Sequence, residues 1–353
     1  MEQDVTDLTV AIDGQRDASI DGTNLLAFPG LFNAHDHLDF NLFPMLGSKY
    51  KHYLEWGPDI HRNHGDTIRQ ILEVPYVLRV KWGMIKNILN GFTRVIDHSA
   101  KPVPFKFDYI DIYNDFQYLH SIALTKHWRL KLNNPLNRLP AMIHIGEGVN
   151  SDAHKEIDKL LHWNILKKEL IGIHAIAMDS HQAEKFKAIV WCPASNEFLY
   201  GKTADVDKLK DATSILFGTD STISSSANFW QHLRQARHVQ RMSDQEIFSA
   251  ITRTPERTFQ LPATRDVVVA RKRHRQPWDA FYAIDPVDIV LVTHHDKPIY
   301  YDPEVIDWPM GEEFGSIKIN GVRKCLIRDL VMVIAALENM NVKMPMPINA
   351  CHD

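Results

Sequence analysis

The chain has 353 residues, a formal net charge of −4 and 44% hydrophobic residues, a composition typical of a globular protein with one large domain and a smaller one. The slight acidity disfavours nucleic-acid binding, no stretch approaches the roughly 20 apolar residues that a membrane span needs, and the first residues lack the apolar core of a signal peptide. The three cysteines are far apart and odd in number, which disfavours a disulfide framework, so we predict a cytoplasmic enzyme or binding protein without a nucleic-acid or membrane partner.

Apolar segments rich in strand-forming residues alternate with helical patterns through the middle of the chain. The predicted strands are 31–38, 93–97, 118–124, 141–145, 170–176, 188–192 and 214–217. Between them, Ser151 is a candidate helix N-cap, and Ser243 and Glu246 have the spacing of a capping box. Strands that alternate with helices predict parallel βα units, and a (β/α)8 barrel of the TIM type fits between residues 29 and 261. The interval from 100 to 140 is short for two units and leaves room for a degenerate one.

The two flanks of the predicted barrel have a different pattern. Residues 1–28 and 262–326 contain short strand-like runs, so we expect both chain ends to pair into one small β-sandwich domain. Residues 327–353 are expected to form a C-terminal helix, over 327–340, and a tail. The apolar face of that helix can pack on the core or contact a second copy of the chain, so a homo-oligomer stays an open alternative.

Two histidines separated by one residue, His35 and His37, close the first predicted strand. Side chains alternate between the faces of a strand, so both point the same way and can share one metal ion. They follow an apolar run, which places them at the carboxyl end of the strand, where active sites lie in (β/α)8 barrels. For this pair alone, surface histidines on a strand are the competing interpretation.

Further polar residues stand at the ends of later predicted strands. His144 closes the strand 141–145, and Glu147 lies in the loop beyond it, where a carboxylate can carry a proton from a metal-activated water to a leaving group. His174 and Asp220 occupy comparable places. Taken singly, each has a purely structural interpretation: a glutamate on a solvated loop for Glu147, a buried core histidine for His174 and a turn residue for Asp220. Their order on successive strand ends favours histidines and an aspartate around one metal with an open coordination position, which is typical of a catalytic site.

On these motifs the sequence resembles the amidohydrolase superfamily, and within it the branch of cytosine and guanine deaminases and triazine hydrolases. The segments that carry the resemblance are Phe28–Leu38 as first barrel strand, Glu55–Gly57 after it, the H-x-x-E of His144–Glu147, His174, Pro193–Asn196 and Gly218–Asp220. Residues 285–291 and 319–321 resemble the returning β-sandwich of that family. The chain departs from the pattern in its short N-terminal flank, in compressed third and fourth βα units, and in residues 265–282, which have no counterpart.

The resemblance implies a role for each residue at the strand ends. One divalent metal ion, zinc or alternatively iron, would be bound by His35, His37, His144 and Asp220. Glu147 would shuttle protons, His174 would orient the hydroxide or polarise the substrate, and Asp220 could also accept a proton from the attacking water. No lysine at a strand end suits the bridging carbamate of dinuclear members, which favours a mononuclear site.

The implied reaction is hydrolysis of a C–N bond by a metal-bound hydroxide, with deamination of a nitrogen heterocycle as first choice. Contacts to this small-molecule substrate are predicted for Trp56, His61, His98 and Ser221, whereas His120 is expected to be buried in its strand. Two alternatives stay open. One is a cyclic-amide hydrolase similar to imidazolonepropionase, which would open a ring instead of releasing ammonia. The other is a catalytically inactive, metal-binding scaffold.

Overall fold

The computed structural model describes residues 9–12, 16–19, 24–101 and 107–351, the first two segments by their backbone alone. Strands β1 (Thr9–Ile12) and β2 (Arg16–Ser19) form an antiparallel hairpin. The rest of residues 1–23 in the predicted N-terminal flank lies outside the described residues. Within these ranges, no helix has both the length and the apolar character needed to cross a membrane.

After β3 (Leu25–Pro29), eight parallel strands form two sheets within the described residues. The first sheet has the order β4 (Leu31–Asp36), β5 (Phe92–Asp97) and β6 (Asp111–Tyr113). The second has the order β7 (Gln117–Leu119), β8 (Ala141–Ile145), β9 (Leu170–His174), β10 (Ala188–Trp191) and β11 (Ser214–Phe217). The N–H groups of Thr219 and Asp220 donate to the His35 carbonyl at 3.1 and 3.0 Å, so the end of β11 lies beside β4.

Both parallel sheets contribute to one apolar core. Because side chains alternate along a strand, every second residue of the parallel strands faces its interior. Its buried members are Phe32, Ala34 and Ile96 from the first sheet, and Met142, Ile171, Ile173, Ala188, Val190 and Leu216 from the second. The opposite faces of the strands pack against helices. The two sheets are thus held around a shared interior, which orients all their carboxyl ends toward one region.

The interval between residues 100 and 140 shows where the predicted strands were wrong. Strand β6 is not predicted by the sequence, because its three residues are only half-buried at a sheet edge and carry no apolar run. The predicted strand 118–124 is too long, since β7 ends at Leu119 and residues 122–124 form a turn. Both strands have three residues, and the helix after them, Trp128–Leu132, has little more than one turn.

Helices connect the parallel strands. In chain order they are α1 (Tyr53–Asn63), α2 (Gly65–Glu73), α3 (Tyr76–Leu89), α4 (Trp128–Leu132), α5 (Ser151–Trp163), α6 (Ser180–Ala183), α7 (Pro193–Tyr200), α8 (Val206–Leu209), α9 (Phe229–His238), α10 (Asp244–Ala250) and α11 (Arg253–Thr258). The capping box of Ser243 and Glu246 is present as predicted. The N-cap of α5 is Asn150 rather than Ser151, because the Asn150 side chain accepts the Ala153 N–H at 3.0 Å.

The chain after the parallel strands forms β12 (Val267–Arg271), α12 (Pro277–Tyr282), β13 (Ile289–His294), β14 (Lys297–Tyr301), β15 (Phe314–Ile319), β16 (Val322–Ile327), α13 (Arg328–Asn339) and β17 (Ile348–Ala350). Its strands and β3 form a seven-stranded antiparallel sheet in the order β17–β15–β16–β14–β13–β12–β3. The segment expected to be a tail therefore includes a strand, β17, that pairs with β15. The apolar face of α13 is buried against the core.

Candidate metal centre and active site

Histidine side chains from five strands of the two parallel sheets meet at the carboxyl ends of these strands. They are His35, His37, His98, His120, His144 and His174. The ring centroids of His35 and His37 are 4.9 Å apart, and those of His98 and His144 are 4.8 Å apart. Because successive parallel strands end at the same edge, residues far apart in sequence converge here.

The four residues predicted as metal ligands lie together. Nε2 of His35 and Nε2 of His37 are 3.7 and 3.9 Å from Oδ1 of Asp220. Nε2 of His144 is 3.3 Å from Nε2 of His35. Potential ligand atoms fall into two overlapping groups whose members lie within 4.8 Å of one another: His35, His37, His98 and His144 in one, and His35, His174 and Asp220 in the other.

Hydrogen bonds at the far side of two rings fix which nitrogen faces the centre. Nδ1 of His144 lies 2.8 Å from the carbonyl oxygen of His120, and Nδ1 of His174 lies 2.8 Å from Oδ1 of Asn196. Both partners are acceptors, so each Nδ1 carries the proton and each Nε2 presents a lone pair. This is the tautomer that binds a metal through Nε2.

The protonation state of the buried rings also suits metal binding. Burial, reinforced by neighbouring imidazoles, holds the pKa of His35, His98 and His144 well below its usual range, and burial lowers the pKa of His120 to about 4. The rings are therefore neutral at physiological pH. Ligand atoms of a tetrahedral zinc ion at bond lengths of 2.0–2.1 Å are about 3.3 Å apart. The 3.3 Å separation of the His35 and His144 nitrogens fits such an ion.

Asp220 is held as a carboxylate by groups around both of its oxygens. Oδ2 accepts hydrogen bonds from the hydroxyls of Ser195 and Ser224 at 2.7 and 2.8 Å. Burial raises the pKa of Asp220, but nearby imidazoles and these hydroxyls outweigh it, and the net pKa is lowered. The residue has a φ of 57°, in the left-handed region that costs free energy for a non-glycine residue and is concentrated at functional sites. Oδ1 is left facing the histidines.

Gly218 permits this approach of β11 to β4. A Cβ atom at this position would lie 2.7 Å from Cβ of His35 and 2.9 Å from Cγ1 of Val190. Such separations are shorter than real Cβ contacts, and neither neighbour is a flexible chain end. Only glycine lets Asp220 stand this close to the His35 ring.

Glu147 lies beside the histidines, as predicted from the H-x-x-E motif. Its side chain is buried, Oε1 is 3.7 Å from Nε2 of His174, and Oε1 accepts a hydrogen bond from Tyr200 Oη at 2.8 Å. Burial raises the pKa of Glu147, while His174 and the Tyr200 hydroxyl oppose the rise. A carboxyl group with a raised pKa next to a candidate metal centre is suited to take up and return a proton.

A buried ion pair supports the segment that carries His35 and His37. Oδ2 of Asp36 lies 2.8 Å from Nζ of Lys86 and accepts a hydrogen bond of 2.7 Å from Nδ2 of Asn87. Asp36 and Lys86 have exposed fractions of 0% and 2%, so both charges depend on this pairing. The pair anchors the residue between the two histidines to α3.

The predicted substrate contacts have different surroundings. His98 is fully buried among the clustered rings, and Ser221 is buried with its N–H bound to Oδ1 of Asp220 at 2.8 Å. Trp56 donates its indole N–H to the Leu46 carbonyl at 2.9 Å and packs beside Tyr200 in a small apolar cluster. His61 is exposed in the last turn of α1. The structure therefore brings His98 and Ser221 to the centre and leaves His61 on the surface.

The sequence did not predict the positions of His120 and Tyr200 at the centre, and it indicated Asn196 only as part of the segment Pro193–Asn196, without a role. The expectation that His120 is buried within its strand was wrong, because His120 follows the last residue of β7 and its half-buried ring lies 4.9 Å from that of His144. Its position just beyond an apolar run is the signal that could have found it. Tyr200 and Asn196 come from α7, and no local spacing relates them to Glu147 and His174.

A comparison with protein-family models finds no match, and neither does a comparison with curated protein sequences. Solved structures are similar. An adenosine deaminase from Xanthomonas campestris with bound zinc is 14% identical, with 90% of this chain and 85% of that chain covered and a TM-score of 0.64. An Escherichia coli guanine deaminase is 14% identical (79% and 85% covered, TM-score 0.60). A triazine hydrolase from Arthrobacter aurescens is 13% identical (79% and 84% covered, TM-score 0.57).

These similarities cover 79–90% of this chain. Identities of 13–14% establish a shared fold. The predicted resemblance is confirmed at that level: the chain has the fold of these deaminase and triazine hydrolase structures.

Proposed function

We propose that the chain is a metal-dependent hydrolase that cleaves a C–N bond of a small molecule, with deamination of a nitrogen heterocycle as its reaction. The observation that carries the proposal is the buried Glu147 carboxyl, 3.7 Å from His174 and beside a convergent set of imidazole nitrogens and the Asp220 carboxylate. The similar structures include an adenosine deaminase and a guanine deaminase, which supports this substrate class.

The proposal includes closure of the two parallel sheets into one (β/α)8 barrel over residues 29–261, flanked by a β-domain from 1–28 and 262–326. Their shared apolar core supports it. The two hydrogen bonds from the N–H groups after β11 to the His35 carbonyl support it at the junction of β11 and β4.

His35, His37, His144 and Asp220 would hold one divalent metal ion, with zinc as first choice and iron as the alternative. The bound zinc of the Xanthomonas campestris structure supports zinc. When bound, such an ion lowers the pKa of a water molecule and polarises an electrophile. His174 remains with its Nε2 toward Glu147 and its Nδ1 held by Asn196, so its part is to orient the reacting groups.

Glu147 would move the protons of the reaction. Its Oε1 is engaged by Tyr200, which leaves Oε2 to accept a proton from the attacking water and to deliver it to the departing nitrogen. Because the carboxyl is buried, its proton affinity is higher than that of a solvated glutamate. Ser221, whose hydroxyl is buried without a hydrogen-bond partner, is available to contact the heterocycle.

The test uses the full chain reconstituted with zinc. Ammonia release is measured over a panel of purines, pyrimidines and pterins, and ring opening is measured with cyclic amides. The proposal expects ammonia from at least one heterocycle and a fall of about 10²–10⁴-fold in Glu147→Gln with unchanged metal content. Ring opening without ammonia would favour the cyclic-amide hydrolase. Full activity of Glu147→Gln would refute its role, and a protein that neither retains metal nor hydrolyses any panel member would favour the inactive scaffold.

A further inference from the structure

A second group of metal-ligand side chains lies at the junction of the parallel and antiparallel sheets. Asp111 is the first residue of β6, His294 is the last residue of β13, and His295 lies in the turn that leads to β14. We propose that these three residues bind a divalent transition-metal ion, zinc in particular, which fastens this turn to strand β6. The proposed function does not use them.

The donor atoms already stand close to metal-ligand spacing. Nε2 of His294 is 3.6 Å from Oδ1 of Asp111, and Nε2 of His295 is 3.8 Å from Oδ2 of Asp111. The two imidazole rings are stacked with centroids 4.0 Å apart, and the three ligand atoms lie within 4.8 Å of one another. A tetrahedral zinc ion needs ligand atoms about 3.3 Å apart, and the two carboxylate–imidazole separations of 3.6 and 3.8 Å are close to that value.

The environment of His294 independently indicates a ligand. The side chain is 1% exposed, and its Nε2 is buried without a hydrogen-bond partner while pointing at Asp111. Its Nδ1 lies 3.2 Å from Oδ2 of Asp266, a buried carboxylate that accepts the Nδ1 proton. Nε2 is thereby left facing Oδ1 of Asp111 at 3.6 Å, a separation at which one cation can contact both atoms. A carboxylate behind the imidazole is the usual support of a metal-ligating histidine.

The same carboxylate also positions the second histidine. Oδ1 of Asp266 accepts the backbone N–H of His295 at 2.9 Å. His295 and Asp296 have φ values of 49° and 63°, so the tight turn brings the His295 ring back over that of His294. Asp266 thus holds both histidines of the proposed site without being a ligand itself.

A basic side chain also lies near the site: Nε of Arg94 is 4.0 Å from Oδ2 of Asp111. Its Nη1 is committed to Glu256 Oε1 and to the Pro262 carbonyl, both at 3.1 Å. The side chains of Asp111 and His295 are 47% and 68% exposed, so an ion can reach the site from solvent and keep a water ligand.

The proposed site is separate from the catalytic centre. Asp111 pairs with Arg94 of β5, four residues before His98, and four strand residues span about 13 Å. The catalytic histidines lie at the carboxyl ends of the parallel strands, whereas Asp111 begins one. An ion here would join a turn of the antiparallel sheet to the parallel sheet, and its effect would be on the stability of that junction.

The test compares Asp111→Asn/His295→Gln with the native chain and with a control, Asp115→Asn/His274→Gln. The control removes an exposed aspartate and an exposed histidine of neighbouring segments. Metal-depleted proteins are titrated with Zn²⁺ and Co²⁺, and bound metal, the visible Co²⁺ spectrum and the Tm are recorded. Because both changed side chains are at the surface, the variant is expected to fold.

We expect the native chain and the control to bind one more equivalent of zinc than Asp111→Asn/His295→Gln. Zinc should also raise the Tm of the native chain and the control, and this rise should be absent in Asp111→Asn/His295→Gln. The variant His35→Asn/His37→Asn, which disables the catalytic site, should still bind this additional equivalent of zinc. Adding Asp111→Asn/His295→Gln to that variant should weaken its zinc affinity at least about tenfold. Equal zinc stoichiometry and an equal Tm response in the native chain and the variant would overturn the proposal. That result would leave the catalytic proposal untouched.

Discussion

The hydroxyl of Tyr200 donates a hydrogen bond of 2.8 Å to Oε1 of Glu147, which ties the last residue of α7 to the loop after β8. Burial raises the pKa of this carboxyl, and the hydrogen bond stabilises its ionised form. The phenol thus sets how readily Glu147 gives up its proton, and it leaves the other carboxyl oxygen free.

Tyr200→Phe should therefore raise the pKa of Glu147 further. In the proposed reaction Glu147 accepts a proton from water and must be ionised to do so. We therefore expect the acidic limb of the kcat/KM profile to move to higher pH and kcat/KM at pH 7 to fall by about tenfold, the value of one hydrogen bond to a charged group. Tyr50→Phe is the control, because it removes a hydroxyl bonded to Asp59 at 2.6 Å. An unchanged acidic limb in Tyr200→Phe would contradict this role of the phenol.

Asn196→Ala should disturb the orientation of His174. The substitution removes the acceptor 2.8 Å from Nδ1, so the ring is free to rotate or to take the other tautomer. Loss of a hydrogen-bond partner behind a functional histidine typically lowers metal affinity or activity 10–100-fold, and we expect kcat to fall by about tenfold or more. Asn196→Asp keeps an acceptor at this position and should retain more activity. Equal activity of both variants and the native enzyme would show that His174 needs no support.

Lys86→Met should destabilise the fold by leaving the Asp36 carboxylate buried without its cation. Removal of one partner of a buried pair typically costs about 3–5 kcal/mol, measured here as the free energy of unfolding in urea. The double variant Lys86→Met/Asp36→Asn has no unpaired charge and should recover part of the loss. A single variant within about 0.5 kcal/mol of the native chain would show that Asn87 and Asn41 suffice to hold Asp36.

Glu156→Gln should change how stability depends on pH. Burial raises the pKa of Glu156 from 4.5 to about 7, although Tyr53 donates a hydrogen bond to its Oε1 at 2.8 Å. Between these pH values the unfolded chain has lost this proton while the folded chain retains it, so native stability falls as pH rises and levels off above about pH 7. Glutamine cannot ionise and removes this loss.

Relative to the native chain, Glu156→Gln should gain about 1–2 kcal/mol in unfolding free energy between pH 5 and pH 8, less than the full shift because the half-buried carboxyl is screened by solvent. Denaturant titrations at both pH values measure the difference. Asp152→Asn on the exposed face of the same helix should show none. A gain that is equal at pH 5 and pH 8 would mean that the Glu156 carboxyl ionises normally.

Most parallel strands could be predicted because each is a short apolar run closed by polar residues. The polar residues at the strand ends were informative too: His144 is the penultimate residue of β8 and Glu147 follows that strand, while Asp220 follows β11. Strand β6 and the end of β7 were not predictable, since edge strands of three residues leave no periodic pattern. Strand β17 was missed for a related reason, because its place depends on pairing with β15 across α13.

The sequence alone was enough to place His35 and His37 on one side of a strand, because side chains alternate between the two faces of a strand. It also placed the other ligand candidates at strand ends, because each comes at the end of a short apolar run. The contacts that complete the site depend on packing between distant elements. Tyr200 reaches Glu147, Asn196 reaches His174, and His294 meets Asp111 only after helices and sheets have stacked. The pair His35 and His37 is therefore visible in the sequence. The contacts that support Glu147 and His174 arise from long-range packing, which no local pattern encodes.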